Sequence, residues 1–461
     1  MKQKNVPLHF LLKVVRERDR GKEIIMKVNK VLAVVLSAAV VAMTACGGNS
    51  STSGTSGTSS EDDSNKLTVW AWDQSFNIYA MKEAEKIYQK EHPDFSIDIS
   101  EVGWDDMQTK LATIVGSGDY SSLPDILLMQ DFAYQKYVTT YPDLFQDLTD
   151  SGIDFSQFAS AKLENSVVDE RNYGVPFDNG TEIAAYRTDI LEKAGYTLED
   201  LTDIDWNRFI EIGKDVLAKT GYSLVSLQAN ASDLIYQMMQ SAGLETWNDD
   251  GSPYLADNEG LKKCIEIYKE GVDAGVIRVV NSWDEYIATF TSGTTCGVIN
   301  GCWIMASIQS SDSQSGLWGI TNMPSIPGIS TATNYSNQGG STWAITKNCK
   351  KTALATDFLA STFAGSIELY ETILPNSGAL TTYIPAGESN VYSEPQEFYG
   401  GQPVFSLITD FASKTPSVKL GVYYTEENRA LATVLSNVVA GADIDSELAN
   451  AENTVIFDMG Q

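Results

Sequence analysis

Three short stretches gather polar side chains, two of them beside an indole: Trp72-Asp73-Gln74, Glu101 with Trp104, and Gln130-Asp131. Carboxylates and amides can grip neighbouring hydroxyls in pairs, and an indole face covers apolar C–H groups. That combination suits holding a small polar ligand. The signatures of chemistry are missing: the only histidines are His9 and His92, and there is no Gly-x-Ser-x-Gly, no Gly-x-x-x-x-Gly-Lys and no His-Glu-x-x-His. Most hydrolase and NTPase mechanisms lose their parts. No Cys-x-x-Cys occurs, so a metal site has little to build on, and no cofactor is implied.

Each stretch follows a predicted strand. Residues 66–72 are apolar and β-rich, 95–99 alternate, and 124–129 form a third apolar run. Between them, 76–92 and 104–115 repeat apolar residues at helical spacing, the first ending before Pro93. A β-α-β-α-β opening requires right-handed crossovers in one sheet, and ligands on such sheets sit beyond the carboxyl ends of the strands. Further helices are expected at 206–219, 231–242, 258–274, 282–291 and 351–362. The alternation predicts an α/β fold with mostly parallel sheets. Nearly four hundred residues beyond Asn65 are too many for one core and fit two lobes.

The N-terminus reads as an export signal. Residues 26–30 are basic, 31–43 are small and apolar, and Met43-Thr44-Ala45-Cys46-Gly47 follows. The apolar run is too short to span a bilayer, which takes about 20 residues. Its end resembles the lipobox of bacterial lipoproteins, with Met43 where Leu is usual. That resemblance implies a signal peptide over 26–45, a lipid on Cys46 and a tether through 46–64, rich in Gly, Ser and Thr. Residues 1–25 are read as a misassigned start, with Met26 the biological one.

Beyond Ala45 the chain keeps 23 Lys and Arg against 58 Asp and Glu, a net charge of −35. Such a body does not attract nucleic acid or anionic lipid through bulk charge. Cys264, Cys296, Cys302 and Cys349 are expected as buried free thiols; export would permit one pairing, Cys296 with Cys302.

Four motifs, in order, resemble one family. Tyr173-Gly174-Val175-Pro176-Phe177-Asp178-Asn179-Gly180 leads into Ala184-Ala185-Tyr186-Arg187 and a helix ending Ala194-Gly195-Tyr196. Asp205-Trp206-Asn207-Arg208-Phe209 starts another helix. Phe290-Thr291-Ser292-Gly293 continues to Cys296-Gly297-Val298-Ile299-Asn300-Gly301-Cys302-Trp303, and Gly339-Gly340-Ser341-Thr342-Trp343-Ala344-Ile345 precedes a helix. Together these resemble the extracellular solute-binding proteins of carbohydrate ABC importers, of the maltose-binding type, from Lys66 to about Ala386. Arg187 stands where the family has Asn, and Cys296-Gly297 where it has Ala-Met.

The resemblance implies a two-lobed periplasmic-binding-protein-like fold. One lobe would take 66–179 with 345–373, the other 180–344 with 374–461, bending near Asn179, Ser341 and Pro375. It also implies that Trp303 stacks on a sugar, joined by Asp178 and Asn179 at the hinge, Gln228 and Asn230 from the second lobe, and Ser341. A carbohydrate, expected to be an oligosaccharide, would pass to permease subunits while a monomeric, lipid-anchored protein stays on the outer face of the membrane. Plainer roles compete: Trp72 and Trp104 as core, Asp73 and Asp131 as helix caps, Asp178-Asn179-Gly180 as a turn, and Gly339 to Ser341 as hinge geometry. A binding protein for a polyamine or peptide, or a secreted glycosidase working with two carboxylates, are the alternatives.

Overall fold

The structure is a computed structural model and describes residues 63–229, 231–418 and 420–460. The export signal, Cys46 and Asn230 lie outside them. Strands β1 (Lys66–Ala71), β2 (Ser96–Glu101) and β3 (Ile126–Gln130) pair in parallel around a central β1, with helices Asn77–Tyr88 and Trp104–Ser117 as the crossovers. The expected opening is therefore present. The first helix stops at Tyr88, and 89–91 continue it as turns.

β3 shows why such a strand is continuously apolar. Ile126 and Leu128 pack into one core with Phe177, Trp343 and Phe358, while Leu127 and Met129 pack into another with Met107, Leu111 and Tyr134. Both faces are covered, so alternation with polar residues would leave unmet groups inside.

A short hairpin, β4 (Val167–Val168) and β5 (Arg171–Asn172), leads to β6 (Val175–Arg187), which serves two cores. Val175 and Phe177 belong to the first lobe, whereas Ile183 and Ala185 on one face and Ala184 and Tyr186 on the other belong to the second. The second lobe adds β7 (Val225–Gln228) parallel to β8 (Ile277–Val280), and β9 (Gly297–Gly301) and β10 (Trp318–Thr321), both antiparallel to β6. Helices Tyr424–Val439 and Ile444–Asp458 close its core through Leu431, Leu435, Leu448 and Val455.

The return strand β11 (Asn337–Ile345) pairs with β6 at Asn337 and from Gly340 to Trp343, and with β3 from Ser341 to Ile345, all antiparallel. Its register breaks between Asn337 and Gly340, where Gly339 and Gly340 have φ of 90° and 101°. Only glycine adopts such backbone without strain. The crossing thus falls at Gly340, ahead of the boundary at 344 read from sequence, and Ala379 and Ala386 pack in the first core, past the boundary at 373. The sheets are also less parallel than the strand-helix alternation implies, because the crossing strands run antiparallel to their neighbours.

Helix ends follow local chemistry. Asp205 accepts from the Arg208 N–H at 2.9 Å to start Trp206–Thr220, and Gly221, with φ of 80°, ends it. Cys264, Cys296, Cys302 and Cys349 are buried free thiols. No helix among the described residues is long and apolar enough to cross a membrane.

Candidate functional site

A cleft of about 570 Å3 lies where β6 and β11 cross, lined by Asn179 and Gln338 from the strands, Phe132 from the first lobe and Tyr236, Gln240 and Tyr424 from the second. A second, smaller cavity of about 40 Å3 is lined by Gln228, Asp233, Gln237, Asn300, Trp283 and Trp303, among others. Gln338 lines the larger cleft and contacts Trp303, which lines the smaller one. Its backbone carbonyl accepts the Trp303 indole N–H at 2.8 Å, and its side chain hydrogen-bonds Asp233.

Trp303 is half-buried, packs against both lobes' cores, and lies 5.9 Å from Trp283 with their planes tilted by 34°. Gly301 is required two residues before it, since a Cβ there would meet Trp303 Nε1 and the Gln338 carbonyl at 2.4 Å.

Aromatic rings form a row from one lobe to the other. Trp72 meets Trp104 at 5.7 Å edge to face, Trp104 meets Phe132 at 6.3 Å, Phe132 meets Tyr424 at 4.7 Å, and Tyr424 meets Tyr236 at 4.4 Å. Trp72 and Trp104 are partly exposed, so they are not interior packing alone. The loop carrying Trp72 is held by Asn77, whose side-chain oxygen accepts the N–H groups of Trp72 and Asp73, each at 3.1 Å.

The carboxylates divide by environment. Asp73 accepts from the N–H groups of Ser75 and Phe76 at 2.8 and 2.9 Å, which fixes the turn ahead of the helix; it does not cap the helix, whose cap position is Phe76. Gln74 donates to Glu101 at 2.7 Å on the exposed rim. Asp131 does not cap its helix: the helix begins at Asp131 itself, and its buried carboxylate takes the Lys162 ammonium and, at 2.8 Å, the Thr342 hydroxyl. Gln130 precedes it with its side-chain oxygen buried and unpartnered.

Asp178 accepts from Ser341, and burial pushes its carboxyl up to about 6 against the pull of Lys162 and Ser341. These groups tie β6 to β11 at the crossing. Asp178 and Asn179 are thus strand residues, not a turn, and the Asn179 side chain donates to the Thr381 carbonyl at 3.1 Å.

Among the residues expected from sequence, the structure brings together Trp72 with Trp104, Gln74 with Glu101, Asp178 with Ser341, and Gln228 with Trp303. Lys162, Tyr236, Gln338 and Tyr424 went unread. Tyr424 opens a C-terminal helix in a region without a family motif, though apolar spacing through Leu431, Leu435 and Val438 marks that helix in the sequence.

Residues 83–386 match the family described as bacterial extracellular solute-binding protein. The chain belongs to that family. This solute-binding protein is 37% identical over 390 residues to the lactose-binding protein of Rhizobium radiobacter, covering 85% of this chain and 92% of that one. It is 22% identical over 414 residues to the arabinooligosaccharide-binding protein of Halalkalibacterium halodurans, covering 87% and 91%. The solved ABC transporter associated binding protein from B. animalis subsp. lactis, in complex with β-1,6-galactobiose, superposes with a TM-score of 0.74 at 19% identity, covering 86% of this chain and 97% of that one. The superposition carries the two-lobed fold. The relatives are binding proteins.

Proposed function

We propose that this solute-binding protein captures a neutral di- or oligosaccharide between its lobes and delivers it to the permease of an ABC importer, binding without doing chemistry on it. The row of rings from Trp72 to Tyr236, set beside the amide-lined cleft, carries the reading. Sugar C–H faces stack on rings while their hydroxyls need paired donors and acceptors, and a closing cleft strengthens both by removing water. The identity with a lactose-binding protein makes lactose and related galactosides the first candidates.

Trp303 is the principal stacking platform in this reading. Trp72, Trp104, Gln130, Asn179 and Gln228 contact ligand, Gln74 and Glu101 serve the rim, and Asp73, Asp131, Asp178 and Ser341 hold the binding loops and the crossing. The lobes close by bending at Asn179, Gly340 and the segment after Pro375, and the closed form docks on the permease. Cys46 carries a lipid that anchors a monomer to the outer face of the membrane.

A calorimetric screen of mono- and oligosaccharides tests the ligand class, with Trp303→Ala as the control. Binding of no sugar, or equal binding by the variant, would overturn the assignment, and any turnover of an oligosaccharide would replace it with a glycosidase. A small-angle scattering curve that does not change with a tight ligand would rule out closure. Cys46→Ser is expected to release the protein from the membrane fraction.

A further inference from the structure

The small cavity beside Trp303 is rich in hydrogen-bond acceptors. Gln237 lines it, is 2% exposed, and its side-chain oxygen has no hydrogen-bond partner. Asp233 lines it too, held by the side chains of Gln338 and of Asn428, the latter at 3.5 Å. Behind them Glu182, on β6, is 1% exposed with both carboxyl oxygens unpartnered, close enough to act electrostatically on Asp233 and on Tyr286. Among the described residues lining the cavity, none carries a positive charge.

Acceptors buried without donors are unfavourable, so whatever enters is favoured in proportion to the hydrogens it brings. A hydroxyl or an ammonium supplies them. A carboxylate or phosphate brings only lone pairs and a like charge, in a place where low dielectric magnifies the repulsion. The volume of about 40 Å3 accepts a few water-sized groups, such as a hydroxymethyl arm or one edge of a ring.

We infer that this cavity is a charge filter: it receives a hydroxylated or amine-bearing edge of the ligand and excludes sugars that present a carboxylate or phosphate there, with Asp233 as the specificity-determining residue. The inference rests on the carbohydrate reading of the cleft and adds which carbohydrates are admitted. Burial raises both carboxyls, Glu182 well above the usual carboxylate range with Asp233 adding to the effect. Even with Glu182 protonated, the pair holds more lone pairs than hydrogens.

The test titrates the wild type and Asp233→Asn with lactose and with two lactose analogues bearing a carboxylate at C6 of one ring or the other, at about 0.15 M salt, where long-range repulsion from the acidic surface is screened. Wild type should prefer lactose over at least one acid analogue by roughly 100-fold, and Asp233→Asn should shrink that ratio by roughly 10-fold. Should Asp233→Asn not fold, Gln237→Glu serves instead and should widen the ratio. Acid analogues binding within a few-fold of lactose, or a ratio unmoved by either variant, would overturn the filter while leaving the carbohydrate site intact. Failure of lactose and every other neutral sugar to bind removes the carbohydrate reading and this inference with it.

Discussion

The Lys136 ammonium pairs with the Glu426 carboxylate, joining helix Asp131–Thr140 of the first lobe to helix Tyr424–Val439 of the second. Both side chains are largely shielded, at 20% and 16% exposure, and Lys136 also lies 5.2 Å over the Tyr423 ring. The pair stands beside the Phe132–Tyr424 contact, so an ionic and an aromatic link join these two helices.

A link made between lobes is stronger in the closed state than in any opened one, so it should slow ligand release more than it speeds capture. Lys136→Gln and Glu426→Gln are each expected to raise the dissociation rate of a bound sugar by about 3- to 10-fold with little change in association. The double variant should add little to either single one. Stopped-flow release measurements check this, and additive effects would show that the two residues act separately.

Trp303 should be the largest single contributor to affinity. Its ring is fixed from one edge by the Gln338 carbonyl at 2.8 Å and backed by Trp283, so stacking is prepared before ligand arrives. Trp303→Ala is expected to weaken sugar binding by about 2 kcal/mol or more, roughly 30-fold, and Trp303→Phe by less. Calorimetry on variants with wild-type melting temperatures separates lost stacking from lost structure.

The first lobe was legible because its elements announce themselves locally. The β1, β2 and β3 segments are apolar or alternating, and the helices between them repeat at helical spacing. The site was read less completely. Trp303 is pointed to by the resemblance of Gly301-Cys302-Trp303 to a family motif, and the Trp72 and Trp104 loops by their places at strand ends. Tyr424 and Tyr236, which finish the aromatic row, are brought there by packing between segments nearly two hundred residues apart. Asp131 shows the opposite failure: an acid at a helix start reads as a cap, but burial beside Lys162 gave it a stronger partner.

Gly340 gives a test of the crossing itself. Its φ is 101°, and a Cβ there would stand 2.6 Å from Asp131 Oδ2 and 2.7 Å from Lys162 Nζ. Alanine would therefore meet backbone strain and a buried ion pair together, an expected loss of about 2–4 kcal/mol. Gly441→Ala, with φ of 99° but no neighbour within 4 Å, measures the strain alone. Chemical denaturation of both variants should show Gly340→Ala the more damaging; equal losses would mean that the ion pair yields at no cost.

Glu427 makes stability depend on pH. It is fully buried facing Thr246, Tyr236 and Trp247, and burial pushes its carboxyl up to about 8. An unfolded-chain Glu titrates near 4.3, so the folded state holds the proton more tightly. The resulting stabilisation is complete below the unfolded value, shrinks as pH rises from about 4.5 toward 8, and is gone above that, at about 1.4 kcal/mol per unit. Glu427→Gln keeps the shape and removes the charge. Between pH 6 and pH 9 the wild-type melting temperature should fall several degrees further than that of the variant. Tyr236 touches Tyr424 in the aromatic row, so sugar affinity should also decline above pH 8 in the wild type and hold in Glu427→Gln. Parallel melting curves would show that water or a neighbouring donor already satisfies the ionised carboxylate.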